Sequence, residues 1–362
     1  MRPRRWRLVA RDVRVARREY TLAPSRARPG SALRRLPAGV LVAALVAVAS
    51  IAVATGETRV LGHPVIEALV VALLLGMIVR FVWRPSAVFE PGIRFAGKEL
   101  LELSIVLLGV SVDLPLLMRA GPALAVAIVG IVVVGLGVGV LIARGLGLRP
   151  RLAILVATGN AICGNSAIAA VAPVIGANAE DVASSIAFTA ILGVIVVLGL
   201  PLLIHPLGLT NYQYGVLAGL TVYAVPQVLA AAFPVSVLSG DVATLVKLVR
   251  VLMLGPVVLF FALRSGSGFG RAPSLTKLVP WFIVGFLVLA ALRAGGAVPS
   301  SWVAPTRVVS TNLTIIAMAA LGLSADVRTV AKAGSRVIGA VSLSLLVLVV
   351  LGIGIIHLLH IR

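Results

Sequence analysis

Residues 157–177 read ATGNAICGNSAIAAVAPVIGA and sit inside a long apolar run. Within nine of these residues, Thr158 to Ser166, fall a threonine, a serine, a cysteine, two asparagines and two glycines. A segment whose only task is to cross a bilayer has no need of them. Gly159 and Gly164 weaken a helix, and Asn160, Asn165 and Ser166 can cap the ends that a break would free. Lipid supplies no hydrogen-bond partners, so broken helices persist only where protein or a water-filled cavity covers them. The stretch therefore predicts a discontinuous helix near mid-membrane.

The rest of the chain agrees with a membrane reading. Of 362 residues, 60% are hydrophobic and 12% charged, and mean hydropathy is +1.12. Soluble domains average about 25% charged residues. Apolar runs of about 20 residues, the length that spans a bilayer as helix, recur from residue 37 onward. A β-barrel would show alternating segments of about 10 residues instead. The fold class expected is all-α, a polytopic transmembrane helical bundle of about eleven spans. They lie near 37–55, 65–83, 99–117, 122–143, 152–176, 183–204, 212–233, 242–263, 278–294, 303–324 and 337–359.

The net charge of +20 is not a nucleic-acid signal here, because twelve arginines stand ahead of residue 37. Residues 1–36 read as a basic, at least partly disordered cytoplasmic tail that can touch anionic lipid, and 37–362 as the transmembrane domain. A cleaved signal peptide does not fit so long a basic region. Lys and Arg between the apolar runs collect on the side of this tail, which predicts N-inside and C-outside in a bacterial plasma membrane. The partners expected are the lipid bilayer and a small solute, with a homodimer left open and nucleic acid not expected. Cys163 is the single cysteine, and no Cys/His cluster has metal-site spacing, so no metal and no cofactor are expected.

Two internal echoes stand out. LLGVSVDLPLLMRAG (Leu107–Gly121) and ALGLSADVRTVAKAG (Ala320–Gly334) share Leu, Gly, Ser, Asp, Ala and Gly at a constant offset of 213. They end spans three and ten, which point in opposite directions, as inverted-topology transporter repeats do. A fainter echo at offset 60 relates Gly159, Ala170, Ala172 and Asp181-Val182-Ala183 to Gly219, Ala230, Ala232 and Asp241-Val242-Ala243. Eleven simple spans orient those two segments alike, so either one echo is accidental or a span is re-entrant.

Candidate binding residues follow from polarity at depth. A break at Gly164-Asn165 leaves a half-helix from Ser166 whose N-terminal amides favour an anion; close helix packing is the alternative use of the same small residues. GLTVYAVPQVLAAAFP (219–234) carries Pro226, which kinks a helix, with Thr221, Tyr223 and Gln227 beside it. Lys247 and Arg250 in GDVATLVKLVRVLMLGP (240–256) share one helical face; they either face a cavity or snorkel to the surface. Cations without a central carboxylate point to an anionic solute. The candidate set is Asn160, Gly164, Asn165, Ser166, Thr221, Tyr223, Gln227, Lys247 and Arg250. No catalytic set is evident, since His63, His205, His357 and His360 all lie near span ends.

These motifs, with AMAALGLSADV (317–327), resemble the bacterial sulfate exporter family of membrane proteins over nearly all of the chain after residue 36. That family is distantly similar to the bile acid–sodium symporter-like transporters, which implies inverted repeats, discontinuous crossing helices and a sulfur-containing anion as substrate. Many relatives in that family carry His-Glu where Tyr223-Ala224 stand, and a small residue or Thr where Asn160 stands. The departure argues against proton coupling through that site. The expectation is a secondary transporter of a small inorganic or sulfur-containing anion (sulfate, sulfite or sulfonate) by alternating access. A cation-coupled carrier of an organic or neutral solute, a channel, and more remotely an intramembrane lipid-processing enzyme are the alternatives.

Overall fold

The computed structural model describes residues 36–61, 67–83, 85–111, 121–264, 280–325, 335–359 and 361. The arginine-rich tail, and Asp113 and Asp326 of the longer echo, lie outside the described residues. Everything regular in the described residues is helical. In order come α1 (Leu36–Leu61), α2 (Ala68–Val82) and α3 (Glu90–Phe95), which continues through a π-helical stretch into α4 (Leu101–Leu108). Next are α5 (Gly121–Gly145), α6 (Pro150–Ala161), α7 (Asn165–Val171), α8 (Ala179–Gly199) and the short α9 (Ile204–Leu207). They are followed by α10 (Asn211–Thr221), α11 (Val225–Ala232), α12 (Val237–Leu252), α13 (Leu254–Arg264), α14 (Trp281–Ala294), α15 (Val303–Ser324) and α16 (Ser335–Leu358). Among the described residues, five stretches are long and apolar enough to cross a membrane by themselves, with three shorter apolar helices beside them.

Hydrogen-bonding side chains mark where helices begin. Pro150 opens α6, where its missing N–H costs nothing. The Asn178 side chain accepts from the Asp181 amide to cap α8, and Glu180 and Asp181 fill its positive first turn. Thr210 and Gln213 form a capping box at α10, and Ser236 caps α12.

These starts reveal an unexpected path. Arg149, just before α6, pairs at 2.8 Å with Asp181, in the first turn of α8. The segment 150–178 therefore returns to the face it left. Its α6 is 12 residues long, about 18 Å, or roughly half the hydrocarbon core. The same happens at the other face: Tyr214 Oη donates to Ala231 O at 2.8 Å, and Ser239 Oγ to Asn211 O at 2.8 Å. So α6–α7 and α10–α11 are re-entrant hairpins entering from opposite faces, with α8 crossing between them. Two of the eleven expected spans, 152–176 and 212–233, therefore turn back instead of crossing.

With that path both echoes become inverted repeats. An offset of 213 carries α2 onto 281–295, the place of α14, and α5 onto 334–358, the place of α16. It also relates contacts. Leu73 O lies against the place a Cβ would take on Gly322, and Phe286 O, the position 213 later than Leu73, lies likewise against Gly109, the position 213 earlier than Gly322. An offset of 60 carries the α6–α7 turn onto the α10–α11 turn. The second half presents its hairpin first and its three-helix block last, reversing the order of the first half.

Helices α1–α4, α14 and α15 pack together as one layer. Glycines let backbones meet there, as at Gly76 with Gly322 and at Gly39 with Gly92. The hairpins, α5, α8, α12 and α16 form a second layer, joined to the first where α11 meets α2 and α15.

The hairpin path predicts labelling from defined sides. With Cys163→Ser, impermeant maleimide should reach Leu146→Cys and Glu180→Cys from the same face and Thr210→Cys from the other. Leu146 and Glu180 on opposite faces would return span five to a full crossing.

Candidate functional site

The two hairpin tips meet at one pair of cations. Lys247 and Arg250, on α12, are 0% exposed. Lys247 Nζ donates to Ile162 O at 2.6 Å and to Val222 O at 2.8 Å, one carbonyl from each tip. Arg250 donates through Nη2 to Asn160 O at 2.9 Å and Ala161 O at 2.8 Å, and through Nη1 to Gly219 O at 2.9 Å.

A helix end leaves its last four carbonyls without intrahelical partners. For α6 the account closes: Thr158 O accepts from Ile162 N and Gly159 O from Gly164 N. Arg250 takes the other two, Asn160 and Ala161, and Lys247 takes the carbonyl of the residue that follows, Ile162. In hydrocarbon each unpaired carbonyl would cost several kcal/mol. The negative ends of both helix dipoles also point at the two cations, which favours them further. Gly164 holds the turn at φ +70, a conformation that favours glycine. Gly219 lets α12 approach, because a Cβ there would meet Ala243 O and the Val246 side chain.

Around this junction the candidates separate. Lys247 and Arg250 face carbonyls and neither snorkel nor face an open cavity; among the described residues neither is in ion-pair contact with a carboxylate. Asn160, 1% exposed, donates to Val341 O at 3.3 Å, while its Oδ1 has no partner among the described residues. Tyr223 is wholly buried beside Val222, and its hydroxyl also lacks one. Thr221 Oγ1 is satisfied within its own helix by Leu217 O at 2.7 Å. Gln227 Oε1 accepts from the Ala224 amide at 3.2 Å, serving the start of α11. Gly164 is buried at the turn, whereas Asn165 and Ser166 are exposed.

Exposure breaks the symmetry of the hairpins. Every residue of α11 is buried. On α7 Asn165, Ser166 and Ala169 are exposed, although offset 60 equates them with Val225, Pro226 and Leu229. At the far face a cavity of about 150 Å³ lies between the layers, lined by Glu67, Ser104, Leu229, Arg307, Ser310 and Thr314 among others. Arg307, one of the lining residues, pairs with Asp241 Oδ2 at 3.3 Å. Arg307 and Asp241 were not among the sequence candidates, because both read as charges at span ends. Their recurrence of Arg94 and Asp181 at the two offsets was the available signal.

The family model for Conserved hypothetical protein 698 matches residues 38–341. A UPF0324 membrane protein of Bradyrhizobium diazoefficiens is 50% identical over 342 residues, 92% of this chain and 97% of that protein. One from Brucella melitensis is 54% identical over 304 residues, 84% of this chain and 85% of its own. One from Bacillus cereus is 36% identical over 291 residues, 77% and 81% of the two chains. No solved structure matches.

If the cations hold the tips, Arg250→Lys is not conservative, since an ammonium cannot bridge three carbonyls on two hairpins. Thermal unfolding in detergent should show Arg250→Lys and Lys247→Met destabilised by about 1–3 kcal/mol for each carbonyl left unpaired. Unchanged unfolding in both variants would contradict the capping role.

Proposed function

The chain belongs to the UPF0324 family of membrane proteins, and we propose that it is a secondary transporter working by alternating access. The observation that carries this reading is the pair of opposed hairpins, inverted with respect to one another, whose tips meet at Lys247 and Arg250. Transporters place substrate where such discontinuous helices converge at the interface of inverted repeats. A static structural protein has no need of two half-crossings closed by buried charge.

The substrate class proposed is a small anion of the sulfate, sulfite or sulfonate type. The carbonyls offset the two buried cations only with partial charges, so a positive potential remains at the tips. Lys247 and Arg250 act through that field, since their hydrogen bonds are taken up by the backbone. Direct contact falls to Ser166 and Asn165 at the open side of the first hairpin, and to the Tyr223 hydroxyl and Asn160 amide when the tips part. The exposed α7 faces the side of Arg149 and Arg336, which the Lys/Arg distribution makes cytoplasmic. The site opens to the cytoplasm in this state.

Proteoliposome flux of labelled sulfate, sulfite and small sulfonates tests this directly. Saturable, anion-dependent flux is expected. Ser166→Ala and Tyr223→Phe should each raise KM about tenfold or more, the worth of one hydrogen bond to a charged group. A folded protein that neither moves nor binds any of these anions would refute the substrate class; flux untouched by both substitutions would displace the site.

A further inference from the structure

The two offsets that relate the halves also pair their charges. Offset 213 sets Arg94 on Arg307, and offset 60 sets Asp181 on Asp241. At one face the second members meet: Arg307 of α15 and Asp241 of α12 lie 3.3 Å apart and tie one helical layer to the other. At the opposite face the first members are apart. Asp181 is held by Arg149 at 2.8 Å, and Arg94 by Glu90 of its own helix at 3.7 Å.

We infer that Arg94 and Asp181 form the counterpart ion pair in a second conformation, in which Arg307 and Asp241 separate. The two pairs are alternate latches between the layers, one for each face. This rests on the alternating-access reading and adds its switching contacts. The asymmetry of the hairpins runs the same way: the hairpin at the latched face is buried throughout α11, and the hairpin at the unlatched face shows Asn165, Ser166 and Ala169. Groups at both latches are poised for exchange. Arg94 keeps most of its side chain in the open and Arg149 more than half, so neither present partner is a buried anchor. At the closed latch Arg307 Nε, Asp241 Oδ1 and Ser111 Oγ are buried without partners among the described residues. A contact left partly unsatisfied is readily released.

The test needs no substrate, so it stands or falls apart from anion flux. In a Cys163→Ser background, Ala169→Cys and Leu229→Cys report on the two hairpins at equivalent positions. Impermeant maleimide should label Ala169→Cys readily and Leu229→Cys slowly. Arg307→Gln should speed labelling of Leu229→Cys by about threefold to fivefold, the range of a partly exposed ion pair, and slow that of Ala169→Cys. Adding Arg94→Gln should reverse both changes, because it removes the latch of the competing state. If Arg94→Gln leaves the labelling of the Arg307→Gln protein unchanged, or pushes it further, the exchange is refuted. As a second measurement, Arg94→Cys with Asp181→Cys should cross-link under oxidation in native membranes; an intact, folded protein that never cross-links also overturns the inference.

Discussion

Two cations under two hairpin tips hold the centre of this molecule together. A helix that stops halfway through a bilayer leaves carbonyls where no water can reach them, and it can persist only if donors are brought to it. Lys247 and Arg250 bring them from a single helix to both tips at once. The arrangement works in both directions. Without the cations the carbonyls would be unpaired, and without the five hairpin-tip carbonyls turned toward them the cations would be buried without hydrogen bonds, which is costlier still. One interaction thus sets the depth of each hairpin, the spacing between them and the position of α12.

That mutual dependence also leaves the junction little hydrogen-bonding capacity to spare. The strongest hydrogen-bonding groups of the segment are committed to backbone. What remains for a solute is a positive field, the exposed start of α7, and the Tyr223 hydroxyl, which the described residues leave unpaired. Symmetry supplies a second constraint. Hairpins related by an inverted repeat have equal claims to exposure, yet in this conformation one is covered and the other open. A repeat that is equivalent in sequence and unequal in environment can exchange its two environments by moving one layer against the other. The glycine contacts within the α1–α4, α14 and α15 layer suit such motion, since they weld those helices into one body.

Much of this was legible before any coordinates. The break at 162–164 fell inside the quoted stretch, the second break fell beside Pro226, and both echoes were visible at their correct offsets. The membrane class also followed from composition, and the motifs marked a conserved family of membrane proteins. The roles of individual residues were less legible. Thr221 and Gln227 looked like ligand groups but satisfy their own helices. Lys247 and Arg250 looked like ligand charges but meet main-chain oxygens. The reason is physical: a carbonyl acceptor carries no side-chain signature, so the partners at Asn160, Ala161, Ile162, Gly219 and Val222 were invisible in the letters.

Sequence by itself determined the class of solvent, the places where helices stop, and the repetition that relates the halves, because hydropathy, glycine, proline and capping residues act within a few residues of themselves. Tertiary structure alone decided that the interrupted segments turn back instead of crossing. Direction after a break depends on what pairs with the freed backbone, and that partner lies about ninety residues away on α12. It likewise decided that Arg307 rather than Arg94 bridges the layers. Two equivalent pairs of charges cannot both close when closing one face parts the other.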